Sequence, residues 1–107
     1  MNKSCSQQYS IGIDYGTNSV RSIVVDCENG QIVGSSVFEY LHGENGVITA
    51  DDPNLSRQHP LDYIDGLKQT VKNAVSDANI DPDLIIGIGV DATASTPIPL
   101  NENGDAL

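Results

Sequence analysis

The residues best equipped for chemistry fall in the stretch Asp14-Tyr15-Gly16-Thr17-Asn18-Ser19-Val20-Arg21. A carboxylate closes a short apolar run, a glycine and two hydroxyls follow, and an arginine sits inside the next apolar run. Gly16 permits a tight turn and brings backbone N–H groups toward a bound anion. Thr17 and Ser19 add hydroxyl donors for phosphate oxygens. Asp14 repels a bare phosphate, but it becomes useful where hydrated Mg²⁺ lies between them, because Mg²⁺ favours carboxylates, water and phosphate oxygens. Arg21 falls on the same strand face as Ser19 and is a fixed positive donor. The set is coherent for a metal–nucleotide phosphate. Spacing alone leaves a plain hairpin equally open, with Asp14 and Thr17 bonded to the turn backbone.

Asp91 repeats the pattern. It ends Ile88-Gly89-Val90 as Asp14 ends Ile11-Gly12-Ile13, and each aspartate is followed within three residues by a threonine, Thr93 and Thr17. If the two strands are neighbours, both carboxylates face one cleft, because ligands of α/β sheets sit beyond the carboxyl ends of the strands. The alternative is a turn-capping Asp91 in local bonds with Thr93 and Ser95. Gly87-Ile88-Gly89-Val90-Asp91-Ala92 formally fits G-x-G-x-x-[G/A]. That dinucleotide fingerprint needs its glycines in the turn that opens a helix, whereas these lie inside a strand. They are expected instead to let another backbone approach. No G-x-x-x-x-G-K-[ST] occurs, which excludes a P-loop.

These residues need a frame. Tyr9, Ile11 and Ile13 alternate with Ser10, Gly12 and Asp14, the period of a half-buried strand. Val20–Asp26 is rich in β-branched residues, and Tyr15–Ser19 is too short for a parallel crossover, so the two runs form an antiparallel hairpin. Glu28-Asn29-Gly30 predicts a second tight turn with positive φ at both central positions, and Gln31–Tyr40 a third strand. His42–His59 is a long connection of the kind that is functional or mobile. From Pro60 the period becomes helical, with a stripe of Leu61, Ile64, Leu67, Val71, Ala74, Val75 and Ala78 toward the core. Pro60 suits the first turn, and Asp62 and Asp65 complement its positive end. Leu84–Val90 reads as a strand covered on both faces and parallel to an earlier one. Thr96–Leu100 reads as a further short strand, and Asn101–Asp105 as a polar turn.

Fifteen acidic against five basic residues give a net charge of −10, which argues against nucleic-acid or anionic-membrane partners, since both need clustered Lys and Arg. Residues 1–8 read as a disordered tail without the apolar stretch of a signal peptide. No apolar run is long enough to span a bilayer. Cys5 and Cys27 lie far apart, outside any metal-ligand spacing, and two such thiols without an export signal point to the cytoplasm. The chain closes at Asp105-Ala106-Leu107 with neither cap nor polar tail, as one lobe of something longer would.

The stretch Gly12–Arg21 followed by Ile23–Asp26 resembles the first phosphate segment of the FGGY carbohydrate kinases. Within that family, Arg57-Gln58-His59-Pro60-Leu61-Asp62-Tyr63 and Gly87–Pro97 are similar to the ribulokinase branch. The resemblance runs from about Tyr9 to the end and implies an α/β ribonuclease-H-like (actin-like ATPase) fold. Residues 9–107 would be the N-terminal part of domain I: a three-stranded antiparallel meander, a helix and a parallel strand. It implies ATP and Mg²⁺ as cofactors, with Asp14 meeting the metal through water and Gly16, Thr17, Ser19 and Arg21 around the terminal phosphate. Asp91, Thr93, Ala94 and Ser95 would line a sugar pocket. Gln58 and His59 would sit on the substrate side, although His59 reads equally well as the cap of the helix opened by Pro60. Tyr15 stands where the family usually has Phe.

The implied reaction is ATP-dependent phosphorylation of a ketopentose at its terminal hydroxyl, L-ribulose first. The general base, the adenosine contacts and the second lobe would lie beyond Leu107, so these residues alone are expected to be inert. Homo-oligomerisation of the parent enzyme stays open. Rival readings are a kinase of xylulose, glycerol or a related polyol, an actin-like chaperone ATPase, and a plain binding domain.

Overall fold

The structure, a computed structural model, describes residues 7–42, 48–49, 56–57, 59–92 and 99–106. Its centre is a four-stranded sheet in which β1 (Tyr9–Tyr15), β2 (Ser19–Asp26) and β3 (Ile32–Glu39) form the antiparallel meander. Two short strands, β4 (Ile48–Thr49) and β5 (Ser56–Arg57), pair within the long connection. Helix α1 (Pro60–Ala78) follows, then a 3-10 turn at Pro82–Leu84 and β6 (Ile85–Ala92). Reached through the helical crossover that a parallel neighbour needs, β6 lies beside β1 and runs parallel to it. The sheet order is β3-β2-β1-β6, the α/β arrangement expected from the sequence. Beyond β6, Leu100 forms an isolated bridge with Ala106 around the Asn101–Asp105 turn. The Thr96–Ile98 part of the expected last strand lies outside the described residues.

The core sits between the meander and α1. Tyr9, Ile11, Ile13 and Tyr15 of β1 point to the helix side, as do Val20, Ser22 and Val24 of β2. Along its C-terminal half the helix reaches them with the expected stripe, Ala74 buried and Val71, Val75 and Ala78 partly so, but along its N-terminal half it does not. Asp62, Gly66, Thr70 and Ala74, spaced by four, are the buried positions, whereas Leu61, Ile64 and Leu67 are exposed. Close packing explains the exchange. A Cβ on Gly66 would collide with Val20, and one on Gly34 of β3 with the Ala74 carbonyl and Ala78. A helix that lies so near the sheet can present only small residues there, so the leucines rotate to the flank. Within this small-residue seam, Ser22 and Thr70 share a buried hydroxyl–hydroxyl bond of 2.7 Å, and Thr70 also donates to the Gly66 carbonyl.

Two further expectations are corrected. At the β2–β3 turn only Gly30 has positive φ, because Gly30 N–H closes back to the Asp26 carbonyl and Asp26 accepts from Glu28 N–H. That wider loop needs one left-handed residue rather than two. Asp62 keeps its expected place in the first helical turn and is in addition buried beneath the exit of β3. The apolar strand β6 is covered on neither face: Ile88 and Val90 share the side of Ile11 and Ile13 yet are 61% and 63% exposed. The reason is that α1 packs chiefly on β2 and β3.

Candidate functional site

The register brings the chemistry of the sequence together on the helix-free face of the sheet. Asp14 of β1 pairs across to Arg21 of β2 and, on its other side, to Asp91 of β6. A cation and two carboxylates therefore stand in one row over three adjacent strands, all of them exposed. One row back, Gly12 lies between Ile23 and Gly89. These residues line an open concavity of about 540 Å³ together with Ile13, Ile32 and Val90, a volume in the range of small-molecule sites. Gly87 and Gly89 have nothing within 4 Å of a notional Cβ. Their role within this chain is a flat floor rather than the close backbone contact expected of them.

Strand spacing of about 4.8 Å brings the two aspartates close. Between exposed charges at that distance the repulsion is on the order of 1 kcal/mol, tolerable alone and relieved by a bound cation. No carboxylate lies within ion-pairing distance of Arg21 among the described residues, so its guanidinium can serve an anion. Two carboxylates with room for water and phosphate oxygens are a donor set that suits Mg²⁺, which seldom takes an all-protein cage. Among the described residues no group of three or more His, Cys, Asp or Glu offers such a cage.

The β1–β2 turn at the end of this row is drawn tight by a bond from Gly16 N–H to the Ser19 carbonyl, 2.8 Å. Gly16 suits the tight space: a Cβ there would stand 3.2 Å from that carbonyl, so the turn would have to give by a few tenths of an ångström. Its own amide is thus used within the turn, and an anion would meet the amides that follow it and the Thr17 and Ser19 hydroxyls. Two contacts from outside hold the turn. Tyr40 N–H donates to the Asn18 carbonyl at 3.1 Å, and the Tyr40 phenol donates to the Gly16 carbonyl at 2.8 Å.

Behind the turn lies an aromatic stack that spacing did not reveal. Tyr63 of α1 is sandwiched between Tyr15, at 4.8 Å between ring centroids, and Tyr40, at 5.6 Å. The Tyr15 phenol donates to the Tyr63 carbonyl. Burial, then the neighbouring phenol of Tyr63, raises the Tyr15 pKa. Burial raises that of Tyr40 further, helped by Tyr63, Tyr15, Asp62 and Asp14. Both phenols thus remain donors.

Buried Asp62 accepts from His42 N–H (3.2 Å) and Leu41 N–H (3.4 Å), and from His42 Nδ1 at 2.6 Å. The His42 ring stacks on His59 at 3.9 Å. His59 is the N-cap of α1, and its Nδ1 accepts from Leu61 N–H. The capping reading of His59 therefore describes what it does within this chain. The spacing by four of Asp62, Gly66, Thr70 and Ala74 along the helix was the one available signal for this buried seam. Gln58, Thr93, Ala94 and Ser95 lie outside the described residues.

Residues 9–107 match the FGGY family of carbohydrate kinases, N-terminal domain. A ribulokinase of Shouchella clausii is 42% identical over 106 residues, covering 94% of this chain and 19% of the relative. A ribulokinase of Halalkalibacterium halodurans is 41% identical over 108 residues, with the same coverage of 94% and 19%. The chain thus spans 19% of the length of these curated relatives. In fold it is similar to the crystal structure of a gluconate kinase from Lactobacillus acidophilus. The TM-score is 0.78 at 22% identity, over 95% of this chain and 19% of that one. The mixed sheet with its crossover helix is the opening of the actin-like ATPase fold, and the chain belongs to the FGGY family of carbohydrate kinases.

Proposed function

We propose that this chain supplies the phosphate-holding part of a kinase that transfers the terminal phosphoryl group of ATP to the terminal hydroxyl of a ketopentose, L-ribulose first. The observation that carries the reading is the Arg21–Asp14–Asp91 row at the mouth of a glycine-floored concavity. The substrate class is supported by the ribulokinases among its relatives.

Phosphoryl transfer depends mostly on positioning and charge neutralisation. Asp14 would hold Mg²⁺ through its water shell, with Asp91 facing the same space; the ion, when bound, neutralises charge on the phosphate oxygens. The Thr17 and Ser19 hydroxyls orient the terminal phosphate, and Arg21 offsets its charge from the β2 side. Asp91 and the segment Thr93, Ala94 and Ser95 would meet the sugar, with Gln58 and His59 near the other side of the cleft. The general base on the sugar hydroxyl and the adenosine contacts would come from residues beyond these. Residues 9–107 would then be one part of the first of two lobes.

The test is a full-length enzyme assayed with ATP and Mg²⁺ against a panel of ketoses, aldonates and polyols. Clear preference for ribulose supports the proposal. Preference for gluconate, xylulose or glycerol moves the chain to another branch of the family, and ATP hydrolysis indifferent to every sugar overturns the kinase reading.

A further inference from the structure

We infer that Tyr40 is a positioning residue for the phosphate turn, acting through its phenol on the Gly16 carbonyl; this rests on the proposal that the turn holds the terminal phosphate. Tyr40 follows β3 directly and is only 6% exposed. Its ring packs on Tyr63, a contact that a phenylalanine would make equally well. The hydroxyl adds a buried polar group whose desolvation is unfavourable unless it is hydrogen-bonded, and its partner is the Gly16 carbonyl at 2.8 Å. The hydroxyl therefore acts on the turn.

The geometry of a trans peptide gives that bond a direction. The Gly16 carbonyl and the Thr17 N–H belong to one planar unit and point oppositely. Drawing the carbonyl toward Tyr40 aims the Thr17 N–H away from the aromatic core. Tyr40 N–H fixes the next carbonyl but one, that of Asn18, so two peptide planes of a four-residue turn are set by one residue. Asp14, next to Tyr15, is indexed to the same stack, because the Tyr15 ring and phenol are both held by Tyr63. The aromatic stack thus sets the height and tilt of the turn relative to α1.

The experiment is Tyr40→Phe in the full-length enzyme, which keeps the stack and removes one hydroxyl. Hydrogen exchange of the Gly16–Ser19 amides should speed up by about tenfold, the scale of one lost hydrogen bond. The kcat/KM for ATP with Mg²⁺ should fall by about tenfold, while the KM for the sugar and the melting temperature stay near wild type. Unchanged exchange in the turn overturns the inference, as does faster exchange with unaltered nucleotide kinetics. If the wild type phosphorylates no sugar, the functional proposal fails separately, and exchange alone judges Tyr40.

Discussion

At the scale of single residues, location decides whether a substitution harms the fold or the chemistry. Asp14 is exposed on the helix-free face, so Asp14→Ala should change stability by no more than about 0.5 kcal/mol. The same change in the full-length enzyme should lower kcat by about a hundredfold or more, as loss of a preorganised charge usually does. A near-normal melt beside a collapsed turnover number is the expected pair. The buried phenols behave in the opposite way. Tyr15 and Tyr40 have pKa values raised above the ordinary phenol value near 10, so the folded state resists their ionisation more than the unfolded chain does. The resulting stability is fully present below about pH 10 and is lost as pH climbs through the raised values. Tyr15 and Tyr40 should therefore ionise late in a phenolate absorbance titration, and their contribution to the melting temperature should be lost only above about pH 10. Ionisation of Tyr15 and Tyr40 at the ordinary phenol pH would contradict the buried stack.

At the scale of elements, the small-residue seam between β3 and α1 gives a sharp test. Glycine in a strand is ordinarily a weakness, and replacing it with alanine gains roughly 0.5–1 kcal/mol. At Gly34 the gain is overridden, because the new methyl falls on the backbone of α1 at Ala74 and on Ala78. Backbone cannot rotate aside, so Gly34→Ala should destabilise by about 2 kcal/mol or more, read from a denaturant melt. A neutral or stabilising result would mean that the helix sits farther from the sheet.

The seam also shows where the sequence was legible. The alternation in β1, the short hairpin connection and the apolar run of β6 each point to a strand, and the helical crossover points to a parallel β6. They leave open which earlier strand β6 joins, so the Asp14–Asp91 neighbourhood comes from the β1–β6 pairing itself. The exposure of Leu61, Ile64 and Leu67 was not legible, since they are the large apolar residues of the first turns and only the close approach of Gly66 to Val20 and Phe38 keeps them from the core. Tyr15, Tyr40 and Tyr63 were equally opaque: they come from three different elements, and no local period relates them.

For the molecule as a whole, the decisive fact is how much apolar surface remains open. Ile86, Ile88 and Val90 on β6 and Leu61, Ile64 and Leu67 on α1 are all exposed. β6 also has a free edge among the described residues, an arrangement that favours strand addition or self-association. The relatives are several times longer, and the proposed reaction needs groups these residues do not hold. The 107-residue chain on its own should therefore show no sugar-dependent ATP turnover in a coupled assay. It should also elute from a sizing column as associated species. Measurable turnover by the isolated chain would mean that the second lobe is dispensable.

The pairing of β1 with β6 has a consequence for biogenesis. Asp14 and Arg21 meet across a local hairpin, which can close within microseconds of leaving a ribosome. Asp91 reaches its place beside them only after the whole of α1 has been made and docked. Contacts between such distant positions are the slow ones in folding. A nascent chain therefore carries two of the three charges of the row until β6 has emerged, and completes the row only once the crossover has closed.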